Sequence, residues 1–211
     1  MTFSEEIHNQ MLRSVRLQNY KCFEDQLLEF KSLTLLTGLN GTGKSSVIQA
    51  LLLLRQSFQQ NLLQTTGLAL NGDLIHIGNA KDALFENRKG EMEMIGFQLL
   101  LGNGSTGTWH FDDKIETDNK YIKGTDVLRL VPDVTTNLEE IYKSCVFGNN
   151  FHYLQAERIG PRRFFETSDF LVKQRRQLGS AGEYTAQFLD VFRNQIIFNE
   201  GLSHPDAVSL T

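Results

Sequence analysis

The sequence of 211 residues is poor in cysteine and proline, and these scarcities exclude several classes of protein. Its two cysteines, Cys22 and Cys145, are far apart, and neither has a second thiol nearby. This is neither a disulfide framework nor a zinc-binding spacing, so the sequence favours a reducing compartment. Three prolines and the lack of a low-complexity tract argue against long disordered linkers.

Long apolar runs and an excess of positive charge are also lacking. The longest apolar run, Ala50–Leu54, is far shorter than the ~20 residues that a membrane span needs. The first ten residues are polar and acidic, unlike a signal peptide. The net charge of −4 does not indicate a strongly basic nucleic-acid binder, although a local basic face is compatible with it. We therefore expect a cytoplasmic protein with no membrane association.

Hydrophobic residues make up 40% of the chain, enough for one large domain or two small ones. Alternation of apolar and polar residues predicts strands at residues 12–18 and 26–30. The nearly continuous apolar run Leu33–Thr37 predicts a strand buried on both faces. From Ser45 to Gln59 there is no glycine or proline, and the many Leu, Gln and Ala residues predict a helix with a wide apolar face.

The middle of the chain is β-rich, and helices are expected near its end. Val127–Val131 and Phe151–Gln155 are predicted strands, and residues 137–147 are a predicted helix. Ser180 and Glu183 have the spacing of a capping box, in which the two side chains satisfy exposed backbone amides at a helix start. A second helix is therefore predicted to follow.

One loop carries a recognisable chemistry. Gly38-x4-Gly43-Lys44-Ser45 has the full phosphate-loop pattern, and it lies between a predicted strand and a predicted helix. Glycines let the backbone wrap with its amides inward, Lys44 supplies a point charge for the β- and γ-phosphates, and Ser45 offers a hydroxyl to Mg²⁺. The following helix directs its positive N-terminal end at the anion. The predicted nucleotide-binding residues in this loop are Gly38, Asn40, Gly41, Thr42, Gly43, Lys44, Ser45 and Ser46.

The simpler interpretation of this loop is a glycine-rich turn before a helix. The strand–loop–helix context favours nucleotide binding, with Mg-ATP as the expected ligand. No catalytic residue is predicted, because the histidines share no spacing that suits metal binding or a nucleophilic triad.

The surroundings of the loop resemble a known family. Asn19-Tyr20-Lys21-Cys22-Phe23, followed by a short β-pair and Gly38–Ser46, is similar to the start of ABC-type AAA family ATPases, and more closely to their SMC/RecF/OLD branch. The similarity is strong over residues 12–56. It continues more weakly through the segments 70–73, 153–162 and 179–185.

The resemblance implies an α/β phosphate-loop ATPase head, with a mixed sheet and an antiparallel β subdomain. On this basis the chain, 1–211, is the N-terminal part of such a head. Residues 12–66 hold the first strands, the phosphate loop and the first helix, 67–156 a β-rich subdomain and a helix, and 157–211 a basic segment and a helix. Such heads form dimers around nucleotide and act in DNA repair, chromosome handling or anti-phage defence. Nucleotide, a second head and DNA are therefore the implied partners.

The family's later motifs are not found in this sequence. The sequence has no Walker B strand ending in Asp-Glu and no Ser-Gly signature. The segment Val127–Asp133 is apolar enough for a Walker B strand, but Arg129 and Pro132 interrupt the apolar run. We therefore expect the N-terminal half of a head, either truncated or completed by another polypeptide. Two other functions stay open: a nucleotide-gated scaffold without hydrolysis of its own, and a small-molecule phosphotransferase.

Three further features have two interpretations each. Gln155 stands where the family places a glutamine that contacts Mg²⁺ and senses the γ-phosphate, but it is equally a polar residue at a strand end. Tyr20 and Phe23 either stack on adenine or belong to the core. A basic cluster is either a solvated face or a surface for DNA phosphates or for a nucleotide across a dimer. It comprises Arg158, Arg162, Arg163, Lys173, Arg175 and Arg176.

Overall fold

The computed structural model describes residues 9–86, 94–112, 126–132 and 138–195. The chain divides into two compact units, Met1–Gly148 and Asn149–Thr211. The first unit contains the phosphate loop and the second contains Gln155 and the basic cluster. Each unit is described separately.

A six-stranded sheet in the order β2-β1-β4-β5-β6-β3 forms the framework of the first unit. Every pairing of neighbouring strands in it is antiparallel. The strands are β1 (Leu12–Tyr20), β2 (Phe23–Glu29), β3 (Gly67–Ala69), β4 (Ile95–Leu101), β5 (Thr106–Asp112) and β6 (Val127–Val131).

One long helix and two short ones accompany this sheet: α1 (Lys44–Gln59), α2 (Ala80–Ala83) and α3 (Glu139–Tyr142). The second unit contains a π-helical turn at Phe170–Gln174 and the helix α4 at Thr185–Phe192. Helix α1 begins at Lys44, within the last residues of the phosphate-loop motif, so the position of this helix determines where the loop lies.

Helix α1 and the sheet share one hydrophobic core. Leu53 and Leu54 of the helix belong to the same buried cluster as Phe97, Trp109 and Phe111 of the central strands. The helix also buries polar residues that its wide apolar face did not predict, namely Arg55, Gln56 and Ser57. All three of these side chains are hydrogen-bonded, as the cost of desolvating a polar group favours.

These polar side chains of α1 bond to the backbone of neighbouring segments. Arg55 donates to the carbonyls of Val146, at 2.6 Å, and Gly148, at 2.9 Å. The Gln56 amide donates to the Ala69 carbonyl at 2.8 Å, and the Ser57 hydroxyl accepts from the Ala69 amide at 2.8 Å. The helix is therefore fixed to the end of β3 by directional bonds as well as by apolar packing.

Several elements confirm the sequence predictions. Strand β1 includes the predicted residues 12–18, helix α1 matches Ser45 to Gln59, and β6 has the predicted bounds Val127–Val131. Strand β2 begins at Phe23, earlier than predicted, because only the tight turn at Lys21 and Cys22 separates it from β1. Periodicity predicted these elements because each presents one face to a single core.

The predicted buried strand Leu33–Thr37 is wrong. In the structure this segment has no regular secondary structure, and the side chains of Leu33 and Leu35 are 89% and 81% exposed. The sheet formed by the described residues is antiparallel throughout, so it lacks the parallel pairing that a mixed sheet requires. A short apolar run becomes a central strand only when strands lie on both sides of it, and no described strand pairs with residues 33–37.

Three predictions nearer the C-terminus also need correction. Phe151–Gln155 is not a strand, and the helix predicted at 137–147 is reduced to α3, with residue 137 outside the described residues. Ser180 does not cap α4, which begins at Thr185 after Tyr184 and has no side-chain cap. Instead the Glu183 carboxylate accepts a hydrogen bond from the Ala181 amide at 2.9 Å, which stabilises the loop before the helix.

Tyr20 lies wholly inside the core and packs edge-on against Phe97, with ring centroids 5.0 Å apart. Its hydroxyl has no hydrogen-bond partner among the described residues. Burial, with a smaller effect from Cys22, raises the pKa of this hydroxyl, which therefore stays neutral.

Because a buried, unpaired hydroxyl is costly, we expect Tyr20→Phe to stabilise the protein by about 1 kcal/mol. Urea denaturation measures this change, and Phe97→Leu, which removes the ring contact instead, is the destabilising comparison. A Tyr20→Phe variant that is less stable than the wild type would show that the hydroxyl has a partner.

Candidate nucleotide-binding site

The phosphate loop, residues 38–46, connects an extended exposed segment to helix α1. Its backbone turns through two positions that favour glycine, with φ of +82° at Gly41 and +94° at Gly43. An L-residue rarely adopts these angles because its Cβ would meet the backbone. The two glycines thus let the loop curl around its own centre before the helix begins.

Gly43 is also needed for space. A Cβ atom at this position would lie 2.5 Å from the Sγ of Cys22 and 2.5 Å from the Cζ of Phe23. By contrast, a Cβ at Gly41 would have nothing within 4 Å. The turn between β1 and β2 therefore packs directly against the last glycine of the loop.

A second contact supports the first turns of α1 from the same place. Lys21 has a positive φ of +48°, and its Nζ donates to the Oε1 of Gln49 at 2.7 Å. Its backbone amide donates to the Ala83 carbonyl at 2.8 Å. Partial burial lowers the pKa of Lys21, and the negative charge of Asp82 offsets part of this effect by raising it. Sequence reasoning did not assign this supporting role to Lys21, Cys22 and Phe23, because only the folded chain brings them to the loop.

Lys44 and Thr42 close the loop from within. The Lys44 Nζ donates to the carbonyl of Gly38 at 2.7 Å and also to that of Leu39. The Thr42 hydroxyl donates to the Leu39 carbonyl at 2.9 Å. Two of the three N–H donors of the ammonium are thus accounted for. The positive charge lies over the loop, where an anion held by it would be neutralised.

The first turn of α1 presents unpaired amides to the loop. Gly43 caps the helix without a side chain, and the first turn holds no acidic residue. Among the described residues, the amides of Lys44, Ser45 and Ser46 have no acceptor, whereas the Val47 amide donates to the Gly43 carbonyl at 3.1 Å. Open amides and the helix dipole are the two features by which helix starts bind anions.

The remaining predicted residues of the loop are accessible. Asn40 and Ser45 are exposed, and Ser46 is partly exposed. Among the described residues no hydrogen bond involves the Ser45 hydroxyl, so it is available to a cation. Residues 38–46 thus carry open amides, one ammonium and one accessible hydroxyl within one loop and the first turn of α1.

This arrangement defines a phosphate-loop nucleotide-binding protein. The family model of the AAA ATPase domain matches residues 11–155, more than half of the 211 residues. The chain belongs to this AAA ATPase domain family. Membership implies a phosphate-loop NTPase fold with ATP, and typically Mg²⁺, as ligands. The comparison with curated proteins gives no match.

Gln155 lies in the second unit and its side chain is exposed. Its backbone amide donates to the Ser180 carbonyl at 2.8 Å, and its carbonyl accepts from the Nε of Arg158 at 2.9 Å. These bonds involve only the backbone of Gln155, so they leave its side-chain amide available. Its predicted role towards Mg²⁺ and the γ-phosphate stays a prediction.

Tyr20 and Phe23, the two aromatic residues on either side of the turn between β1 and β2, belong to the core. Tyr20 is wholly buried and so has no face to offer to adenine. Phe23 is partly buried and packs against the core and the position of Gly43. The alternative interpretation of these two rings, as structural residues, is therefore the one that the structure supports.

No helix among the described residues is both long and apolar enough to cross a membrane.

Proposed function

We propose that this chain binds Mg-ATP through residues 38–46, as part of a DNA-linked, cytoplasmic ATPase of the SMC/RecF/OLD branch. The observation that carries the proposal is the convergence of the Lys44 ammonium and the open amides of Lys44, Ser45 and Ser46 around one curled loop. A polyphosphate is the ligand that this donor set fits, because it has many acceptors and a high negative charge. The match to an ATPase family supports ATP as its source.

Ser45 fits the role of a magnesium ligand. Its hydroxyl is exposed at the first turn of α1, next to Lys44, and Mg²⁺ prefers oxygen ligands while keeping several waters. Within the described residues there is no group of three or more His, Cys, Asp and Glu side chains that would hold a metal alone. The nucleotide phosphates and Ser45 would therefore share the ion, which shields the charge of the phosphates.

The role of Ser45 can be tested by comparing ATP affinity in Mg²⁺ with ATP affinity in EDTA. For the wild type we expect tighter binding in Mg²⁺, and for Ser45→Ala we expect the two affinities to converge because one ligand of the ion is lost. Ser46→Ala is the matched control and should keep the dependence on Mg²⁺. The assignment fails if Ser45→Ala retains the full dependence.

The proposed head is completed by further strands. The apolar segment Leu33–Thr37 leads directly into the phosphate loop, yet Leu33 and Leu35 are 89% and 81% exposed. Leu39 within the loop is 81% exposed as well. An apolar strand added beside this segment would bury these side chains, and its end would bring a carboxylate towards Ser45. We propose that a second polypeptide supplies that strand.

We further propose that two heads associate around nucleotide. Sedimentation of the chain with ATP and Mg²⁺, against the same chain with neither, tests this step. A larger species that needs both ligands supports it, and an unchanged monomer argues against it.

A second candidate function is a nucleotide-gated module without hydrolysis of its own. It is favoured by the sequence, which lacks an apolar run ending in Asp-Glu. The described residues also hold no group of three or more His, Cys, Asp and Glu side chains that could bind a metal ion. The test is a measurement of phosphate release by the purified 211-residue chain. This candidate predicts ATP binding without turnover, and steady turnover that is lost in Lys44→Ala would eliminate it.

A further inference from the structure

A short stretch of the second unit exposes arginines and phenylalanines side by side. It is named here the Arg-Phe segment and comprises Arg158, Arg162, Arg163, Phe164 and Phe165. Phe164 is 86% exposed and Phe165 is 46% exposed, and the three arginines are exposed as well. Large aromatic side chains are rarely this exposed on a protein surface. The exposed ring of Phe164 is therefore suited to bind a flat, apolar partner.

The three arginines of this segment form no ion pair with any described residue. Among the described residues, no carboxylate lies within ion-pair distance of Arg158, Arg162 or Arg163, although Glu157 and Glu166 flank them in sequence. Within the part of the chain that the structure describes, the only hydrogen bond of these three guanidinium groups is from Arg158 to the backbone carbonyl of Gln155. The segment therefore offers several free cationic donors next to an open ring.

The other cations of the predicted basic cluster are already engaged. Lys173 forms an ion pair with Asp169 at 2.8 Å. Arg175 lies over the ring of Phe170 at 5.4 Å, and Arg176 lies over the ring of Phe192 at 4.6 Å. Arg176 also donates to the side chain of Gln195 at 3.0 Å. The cluster thus separates into an internally satisfied part and a free part, which is the Arg-Phe segment.

We propose that the Arg-Phe segment binds single-stranded nucleic acid. Guanidinium groups contact backbone phosphates, and Phe164 stacks on a base. This inference rests on the DNA-linked part of the proposed function and assigns it a surface.

A single strand suits the segment better than a duplex does. Stacking on Phe164 needs a base whose face is open, and in a duplex each face is covered by the neighbouring base pair. A duplex exposes its phosphates but not the faces of its bases, so it would contact only the arginines of the segment. The chain carries a net charge of −4, so its attraction to nucleic acid must come from a local surface of this kind.

The experiment uses the full 211-residue chain and a fluorescent 20-nucleotide DNA strand, with anisotropy read across a range of salt concentrations. We expect Phe164→Ala to weaken binding at least about fivefold, the lower end of the effect of losing one stacked base. We expect Arg162→Gln/Arg163→Gln to reduce the slope of log affinity against log salt by about 1.4, or about 0.7 for each phosphate contact in a single strand. Lys173→Gln removes an ammonium that is already paired, and should leave both quantities unchanged.

Each outcome is decisive when ATP affinity is measured on the same proteins. Wild-type affinity for ATP in the variants, together with the losses above, supports the inference. Equal or tighter binding of a duplex of the same length overturns it, as does a failure of the wild type to bind the single strand while it binds ATP. Binding of the strand without binding of ATP would contradict the proposed nucleotide site and leave the Arg-Phe segment standing.

Discussion

Replacing Lys44 with alanine should reduce the affinity for Mg-ATP by roughly 150-fold or more. The Nζ atom is held at the loop by the carbonyls of Gly38 and Leu39, and in the proposed site it would contact the phosphates. Hydrogen bonds to charged groups contribute about 1.5–3 kcal/mol each, and Lys44 is expected to make two of them, one to the β-phosphate and one to the γ-phosphate. Calorimetric titration of wild type and variant measures the change.

The control for Lys44→Ala is Lys81→Ala, which removes an exposed ammonium from helix α2, outside the loop. Its affinity for Mg-ATP should equal that of the wild type. The melting temperature of Lys44→Ala should change little, because its bonds to the loop carbonyls are solvent-exposed. Unchanged ATP affinity in Lys44→Ala would refute the assignment of the site.

Alanine at Gly43 should abolish most nucleotide binding, whereas alanine at Gly41 should weaken it only modestly. Both positions have a positive φ, which costs an alanine about 1–2 kcal/mol. At Gly43 the new Cβ would also meet Cys22 and Phe23 at 2.5 Å, and overpacking of this kind costs about 1–3 kcal/mol more. We therefore expect Gly43→Ala to bind ATP at least about fivefold more weakly than Gly41→Ala.

A double variant separates backbone strain from crowding at this position. Cys22→Ala removes one of the two atoms that would lie 2.5 Å from a Cβ at Gly43, so Gly43→Ala/Cys22→Ala should recover part of the lost affinity. Cys22→Ala alone should bind as the wild type does. If Gly41→Ala is as damaging as Gly43→Ala, the turn between β1 and β2 does not support the loop as described.

The phosphate loop and α1 could be predicted from sequence because their information is local. A glycine pattern fixes the backbone of the loop, and the run from Ser45 to Gln59 has few alternatives to a helix. The burial of Arg55 and Gln56 within α1 could not be predicted in this way. Their partners are carbonyls of Val146, Gly148 and Ala69, which are distant in sequence.

Leu33–Thr37 shows where prediction from a local sequence pattern fails. Its apolar run predicts a buried strand, but burial depends on neighbours that an isolated run cannot specify. The capping-box pattern at Ser180 and Glu183 failed for a related reason. Glu183 bonds to the Ala181 amide within the loop, so this local bond replaced the predicted cap and α4 begins later, at Thr185.

The most direct measurement of the central claim is a calorimetric series of ATP, ADP, AMP and adenosine on the wild-type chain in Mg²⁺. If backbone amides and the Lys44 ammonium hold the phosphates, ATP and ADP should bind tightly. AMP should bind with much lower affinity, and adenosine should show no measurable binding. Adenosine that binds as well as ATP, or ATP that gives no heat at any salt concentration, would contradict the assignment of residues 38–46 as the phosphate-binding loop.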